Sequence, residues 1–137
     1  MFTRAEDGPI RDTILALERA ALERWGNGDP GGYLELYAPD VTYFDPAVAS
    51  RVDGYDAMEQ YYAPIAGTIS VDHFELLDPH VQVSGEMAVL TFNLEDHVKD
   101  DDGAEFIGNR WNVTEVYQRL SGEWKIVHAH FSYTERP

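Results

Sequence analysis

Val89-Leu90-Thr91-Phe92-Asn93-Leu94-Glu95 sets Leu90, Phe92 and Leu94 against Val89, Thr91, Asn93 and Glu95 with a period of two. That period belongs to a strand with one buried face. Two turn signals follow, Asp100-Asp101-Asp102-Gly103 and Ser121-Gly122-Glu123. The segments they bound, 105–120 and 124–133, extend the first strand into a three-stranded meander. Residues 74–83 supply a further strand, and 41–44 a short one.

Toward the N-terminus the period changes. Ile10, Ile14, Leu17, Ala21 and Trp25 recur at three- and four-residue steps, one face of an amphipathic helix. Asp7-Gly8-Pro9 offers its cap and first turn, and Gly26 and Gly28 its stop. Asp29-Pro30 opens a short helix carrying Tyr33, Leu34, Leu36 and Tyr37, expected to end before Pro39. A third helix follows Asp53-Gly54, with Met58, Tyr61, Tyr62 and Ile65 inward. Helices first and antiparallel strands after is the α+β pattern, and the helices are the only cover for the sheet's apolar face.

The 137 residues fit one domain, 1–137, large enough for a core without covalent staples. There is no cysteine, which excludes disulfides and thiolate metal sites and suits a reducing compartment. Residues 1–12 are polar and carry no apolar leader core, so a cytoplasmic location is expected. The net charge of −15 disfavours phosphate backbones and anionic lipid, so neither nucleic acid nor membrane is an expected partner. No P-loop, GxGxxG, G-x-S-x-G or HExxH pattern occurs, and neither a cofactor nor a metal is expected.

At Asn27-Gly28-Asp29, Tyr37-Ala38-Pro39-Asp40-Val41, Asp45-Pro46, Gly54 and Tyr61-Tyr62 the chain resembles the nuclear-transport-factor-2-like superfamily. Its SnoaL-like and ketosteroid isomerase-like branches are nearest, and the ketosteroid isomerase pattern runs without a gap from Asp29 to Tyr62. The last strand, Trp124-x-Ile126-Val127-His128-x-His130-x-Ser132, is similar to that of the calcium/calmodulin-dependent kinase association domain. The resemblance implies a cone-shaped, cystatin-like α+β barrel: helices on a curved, mostly antiparallel (mixed) sheet of five to six strands. It also implies a homodimer formed through the outer sheet face. On function it is open, because the fold hosts isomerases, polyketide cyclases, dehydratases, epoxide hydrolases and non-catalytic scaffolds.

Asp45 stands where ketosteroid isomerases keep a general base, which needs a carboxylate in a mostly dry pocket. Alternatively, Asp-Pro merely leaves a strand and caps a turn. Glu115 shares a strand face with Trp111, Val113 and Tyr117. It falls where those isomerases carry the protonated acid of the oxyanion hole, one methylene longer here. The other reading pairs it with Arg110 or Arg119, or leaves it at a solvated edge. Tyr62 matches the tyrosine that supports the oxyanion donor, or is a core aromatic. The donor itself is missing, since Ala21 stands in its place, and only Tyr33, Tyr43 or Tyr117 could replace it. Steroid isomerisation is therefore not expected.

His128 and His130 leave one strand face together. Trp124, Ile126 and Ser132 should accompany them outward, with Val127, Ala129, Phe131 and Tyr133 inward. His73, His80 and His97 supply no recognisable third metal ligand. Association domains hold carboxylates with inward arginines, and two of the matching positions are Glu115 and Phe131 here. The expected ligand is thus small, apolar and neutral or cationic, with Tyr33, Tyr43, Tyr62, Phe92, Trp111 and Phe131 as its walls. The expected activity is cofactor-independent proton transfer by Asp45 and Glu115: isomerisation, cyclisation or dehydration. The alternative is a non-catalytic ligand-binding or oligomerisation domain whose cone is filled by its own side chains.

Overall fold

Leu90, Phe92 and Leu94 share a buried face, and each has an inward neighbour across the ladder: Glu115, Val113 and Trp111 in turn. Beyond these, Ala129, Phe131 and Tyr133 continue the same face on the next strand. The computed structural model describes residues 7–134, so part of the polar stretch 1–12 lies outside them. In chain order the elements are α1 (Asp7–Gly26), α2 (Gly31–Leu36), β1 (Tyr37–Phe44), β2 (Val52–Asp53), α3 (Tyr55–Tyr62), β3 (His73–Ser84), β4 (Met87–Lys99), β5 (Glu105–Leu120) and β6 (Glu123–Tyr133).

The strands form one sheet in the order β2-β1-β6-β5-β4-β3, antiparallel except for the parallel pair β1–β6. The sheet stays open, with β2 and β3 at its edges. A cone therefore arises from sheet and helices together, not from a closed ladder. Ser121 and Gly122 both adopt positive φ, 51° and 83°, in the two-residue connection of the β5–β6 hairpin. Two left-handed residues in succession match the strand twist, which explains the small residue pair there.

Two register expectations fail for identifiable reasons. Tyr37 is the first residue of β1 rather than the last of α2. The β1–β6 ladder then breaks between Tyr37 and Thr42, and Pro39, which lacks an N–H, sits inside that irregularity. On β6 an irregularity lies between the pairs Tyr117–Ile126 and Val116–His128. This bulge moves Trp124 and Ile126 inward, where they are buried, and takes Val127 off the inner face. Ala129, Phe131 and Tyr133 remain inward as expected.

The helices cover the concave face, with α1 packed on α2 and β3, and α3 packed on β1. The buried stripe of α1 runs through Ile14, Glu18, Ala21 and Leu22. Gly32 lets α2 approach closely: a Cβ there would lie 3.1 Å from the Ala21 Cα. Gly54, with φ 92° and ψ 157°, turns the chain from β2 into α3 in a region essentially reserved for glycine. No helix among the described residues is long and apolar enough to cross a membrane.

Candidate functional site

Asp45 follows the last residue of β1, and both of its carboxylate oxygens accept hydrogen bonds. Its Oδ1 accepts the Ala47 N–H at 2.8 Å, which caps the turn at Pro46. Its Oδ2 accepts the hydroxyls of Tyr43 and Tyr61, each at 2.7 Å. Tyr61 comes from α3 and Tyr43 from β1, so two elements fix one carboxylate. Tyr62, one residue on from Tyr61, meets the Tyr37 hydroxyl at 2.8 Å. The Tyr43 and Tyr61 rings pack with centroids 5.9 Å apart. Burial and the neighbouring carboxylate hold the Tyr61 hydroxyl above its ordinary range, so it stays a donor.

These groups stand at one side of a cavity of about 340 Å³ between the helices and the sheet. That volume is at the small end of ligand pockets, which run roughly 300–1,000 Å³. Of the expected wall residues, Tyr33, Tyr43, Tyr62, Trp111 and Phe131 line it together with Asp45. Phe92 does not: it is buried in the core beside the cavity rather than at its surface. Among the described residues, no lysine, arginine or histidine lines the cavity. A filled cone is thus only half realised, with a packed deep end and an open space above it.

The second carboxyl lining the cavity is Asp96, which sequence reading missed. It is buried, accepts the Trp111 Nε1–H at 3.2 Å and lies 3.4 Å from the Asn109 amide nitrogen. Burial raises its pKa, and the bonds from Trp111 and Asn109 offset part of that. Its signal was available: Leu90, Phe92 and Leu94 step in twos along β4, and the next step inward is Asp96.

Glu115 is fully buried, which removes both the arginine-paired and the solvated-edge readings. Arg110 pairs instead with Glu95, and Arg119 with Glu86. Glu115 does not line the cavity but lies at the packed end, against Glu18 of α1, which is also fully buried. Glu18 accepts the Tyr33 hydroxyl at 2.5 Å and the Tyr117 hydroxyl at 2.6 Å. Neither Glu115 oxygen finds a protein donor among the described residues. Desolvation first, and then the Glu18 carboxylate, push the Glu115 pKa well up. A neutral Glu115 donating its O–H toward Glu18 would leave one of its oxygens rather than two without a partner, where an unsatisfied buried polar group costs about 1–3 kcal/mol. Glu18 too was legible, four residues after Ile14 on the apolar stripe.

His128 and His130 lie on the outer face, beside Thr42 and Phe44 of β1. His128 Nδ1 meets Thr42 Oγ1 at 2.7 Å, and burial, then His130, lower its pKa. His73 and His97, which lie on separate segments of the sequence and form no recognisable ligand motif there, are paired directly by the β3–β4 ladder, with their rings stacked 4.5 Å apart. Among the described residues, ligand-type side chains gather in threes only there, as His73, Glu75 and His97 and as Asp72, His73 and Glu105.

The family model of the SnoaL-like domain matches residues 14–135. The fold superposes on the crystal structure of a candidate ketosteroid isomerase from Parabacteroides distasonis with a TM-score of 0.81 and 35% identity, covering 98% of this chain and 96% of that one. The association domain of C. elegans CaMKII superposes with a TM-score of 0.79 at 20% identity, over 94% of this chain and 99% of that domain, a likeness of fold. The calcium/calmodulin-dependent protein kinase type II alpha chain of Drosophila melanogaster is 26% identical over 126 residues, 89% of this chain and 23% of the kinase. The chain spans about a quarter of the length of the curated relatives it matches.

Proposed function

Because the chain belongs to the SnoaL-like domain family, we propose that its aromatic cavity binds a small, largely apolar molecule, neutral or cationic, on which Asp45 moves a proton. In this proposal residues 1–137 act as one domain. The observation that carries it is Asp45 itself: a carboxylate oriented by two tyrosine hydroxyls and a backbone N–H, on the wall of a cavity otherwise mostly aromatic and aliphatic. A base fixed in place removes a proton faster than a free carboxylate, because orientation is settled before the reaction begins. Asp96, with Trp111 and Asn109, gives a second polar point to hold a hydroxyl or ammonium group of the same ligand. Glu115 supports the site from behind, keeping a neutral acid under the tyrosines rather than touching the ligand. The chemistry is isomerisation, cyclisation or dehydration beside a carbonyl or hydroxyl, without a cofactor.

A probe independent of the natural substrate tests this. In nitrobenzisoxazole a carboxylate takes the ring C–H proton, the N–O bond breaks, and a nitrile and a coloured phenolate form. The wild type should accelerate this step over free acetate at the same pH. Asp45→Asn should lower that rate by about 100-fold, the scale of a lost general base. An unchanged rate in Asp45→Asn removes Asp45 from the chemistry.

A second copy of the chain is the proposed partner, docked on the outer sheet face. Val89, Thr91, Asn93, Asn112, Thr114 and Val116 lie side by side on that face, with His128 and His130 next to them. None is an acid or a lysine or arginine, in a chain of net charge −15. The likeness to a kinase association domain supports the same reading.

A further inference from the structure

At the far end of the same face the uncharged surface gives way to a different chemistry. The β3–β4 ladder sets His73 opposite His97 and Glu75 opposite Glu95, so His-x-Glu on one strand meets Glu-x-His on the other. Side chains two apart on a strand leave the same face, and cross-strand partners stand about 4.5–5.5 Å apart at Cβ. Two imidazoles and two carboxylates therefore share one patch by register alone. β5 adds Glu105, whose Oε1 lies 2.8 Å from His97 Nδ1 and 3.6 Å from His73 Nε2.

We propose that His73, Glu75 and His97 bind one divalent transition-metal ion on the outer face of the sheet, with Glu105 available as a fourth ligand. The donor atoms of the first three already lie within 4.8 Å of one another. Metal–ligand bonds of about 2.0–2.2 Å bring donors somewhat closer than that, and partly exposed side chains at a strand edge can make the adjustment by rotation. Two imidazoles with carboxylates and no thiolate suit zinc, cobalt or nickel better than magnesium or calcium. Glu95 supplies the usual support, since its Oε1 lies 3.3 Å from His97 Nε2 and can hold that ring while the ion takes the other nitrogen. Glu95 is itself paired with Arg110 at 3.3 Å, which keeps it in place. His73, Glu75 and Glu105 are exposed, so an ion reaches the site from solvent without any opening of the fold.

The site would act on the cavity from behind. Phe74 and Asp96, the ladder pair between the two histidines and the two glutamates, face inward and line the cavity. An ion shared by β3 and β4 would clamp the strand pair that carries them.

Calorimetric titration of the chelator-treated full chain with zinc chloride tests the proposal. One saturable site per chain is expected. His73→Ala, His97→Ala and the shape-conserving Glu75→Gln should each weaken it by at least about tenfold. The double variant His128→Ala/His130→Ala should bind as the wild type does. Zinc should also raise the melting temperature of the wild type and not that of His97→Ala, since only a folded-state ligand shifts unfolding. No saturable binding would overturn the proposal. So would binding that survives in His97→Ala but weakens in Asp72→Asn, or loss confined to the His128→Ala/His130→Ala chain.

Discussion

Glu18 of α1 and Glu115 of β5 meet at the packed end of the cone with two tyrosine hydroxyls and no basic partner among the described residues. Burial and the neighbouring carboxylate keep Glu115 protonated above its ordinary value of 4.5. Above that pH the unfolded chain has released this proton and the folded chain has not. Its contribution to stability is therefore complete below about pH 4.5 and declines as pH rises toward the raised folded value, by up to about tenfold in the folding equilibrium per pH unit. Glu115→Gln keeps the shape and a donor for Glu18 but cannot ionise. Urea unfolding at about pH 5 to 8 should show the variant gaining on the wild type as pH rises; parallel profiles would contradict a neutral Glu115. Strand periodicity grouped Glu115 with Trp111, Val113 and Tyr117, and the ketosteroid isomerase resemblance offered it a buried place against an arginine-paired or solvated one. Its partner Glu18 lies within the apolar stripe of α1, where a period read from apolar residues alone carries no mark of a buried acid.

At the scale of elements, period and turn chemistry carried most of the fold. The alternation in β4 and the turns at Asp100–Gly103 and Ser121–Gly122 were enough to place the meander. What escaped was irregularity, which leaves no mark in a two-residue period. The bulge in β6 turns Trp124 and Ile126 inward, and β2 is too short to show any period. The same ladder registers define the uncharged outer face, and the proposed dimer depends on it. Val89→Asp, opposite Val116 and Gln82, would place a carboxylate from each copy in that interface, an unpaired buried charge that should weaken association at least about a hundredfold. Sedimentation equilibrium should find the wild type dimeric and the variant monomeric at the same concentration. A monomeric wild type, or a variant that associates equally well, would remove the outer face as the contact.

For the molecule as a whole, charge and cavity point the same way. The chain carries 25 acidic residues against 10 basic ones, and among the described residues the cavity is lined by Asp45 and Asp96 and by no cation. An anionic ligand would give up its water and gain no counter-ion, whereas a cation would meet aromatic faces and carboxylates together. Glu115 and Phe131 occupy two of the positions where association domains keep inward arginines, which is read from the sequence alone. The second carboxyl is legible one step further, since the β4 alternation through Leu90, Phe92 and Leu94 reaches Asp96 next. Phe92 was misjudged because period tells which face a residue takes, not how far along the cone the open space extends. The most direct measurement is titration calorimetry with three ligands of one ring size, benzyltrimethylammonium, benzyl alcohol and phenylacetate, at neutral pH. The ammonium and the alcohol should bind in the cavity, with the ammonium tighter, and binding of both should weaken in Trp111→Ala. Phenylacetate binding more tightly than the alcohol would contradict a cavity built for neutral or cationic molecules.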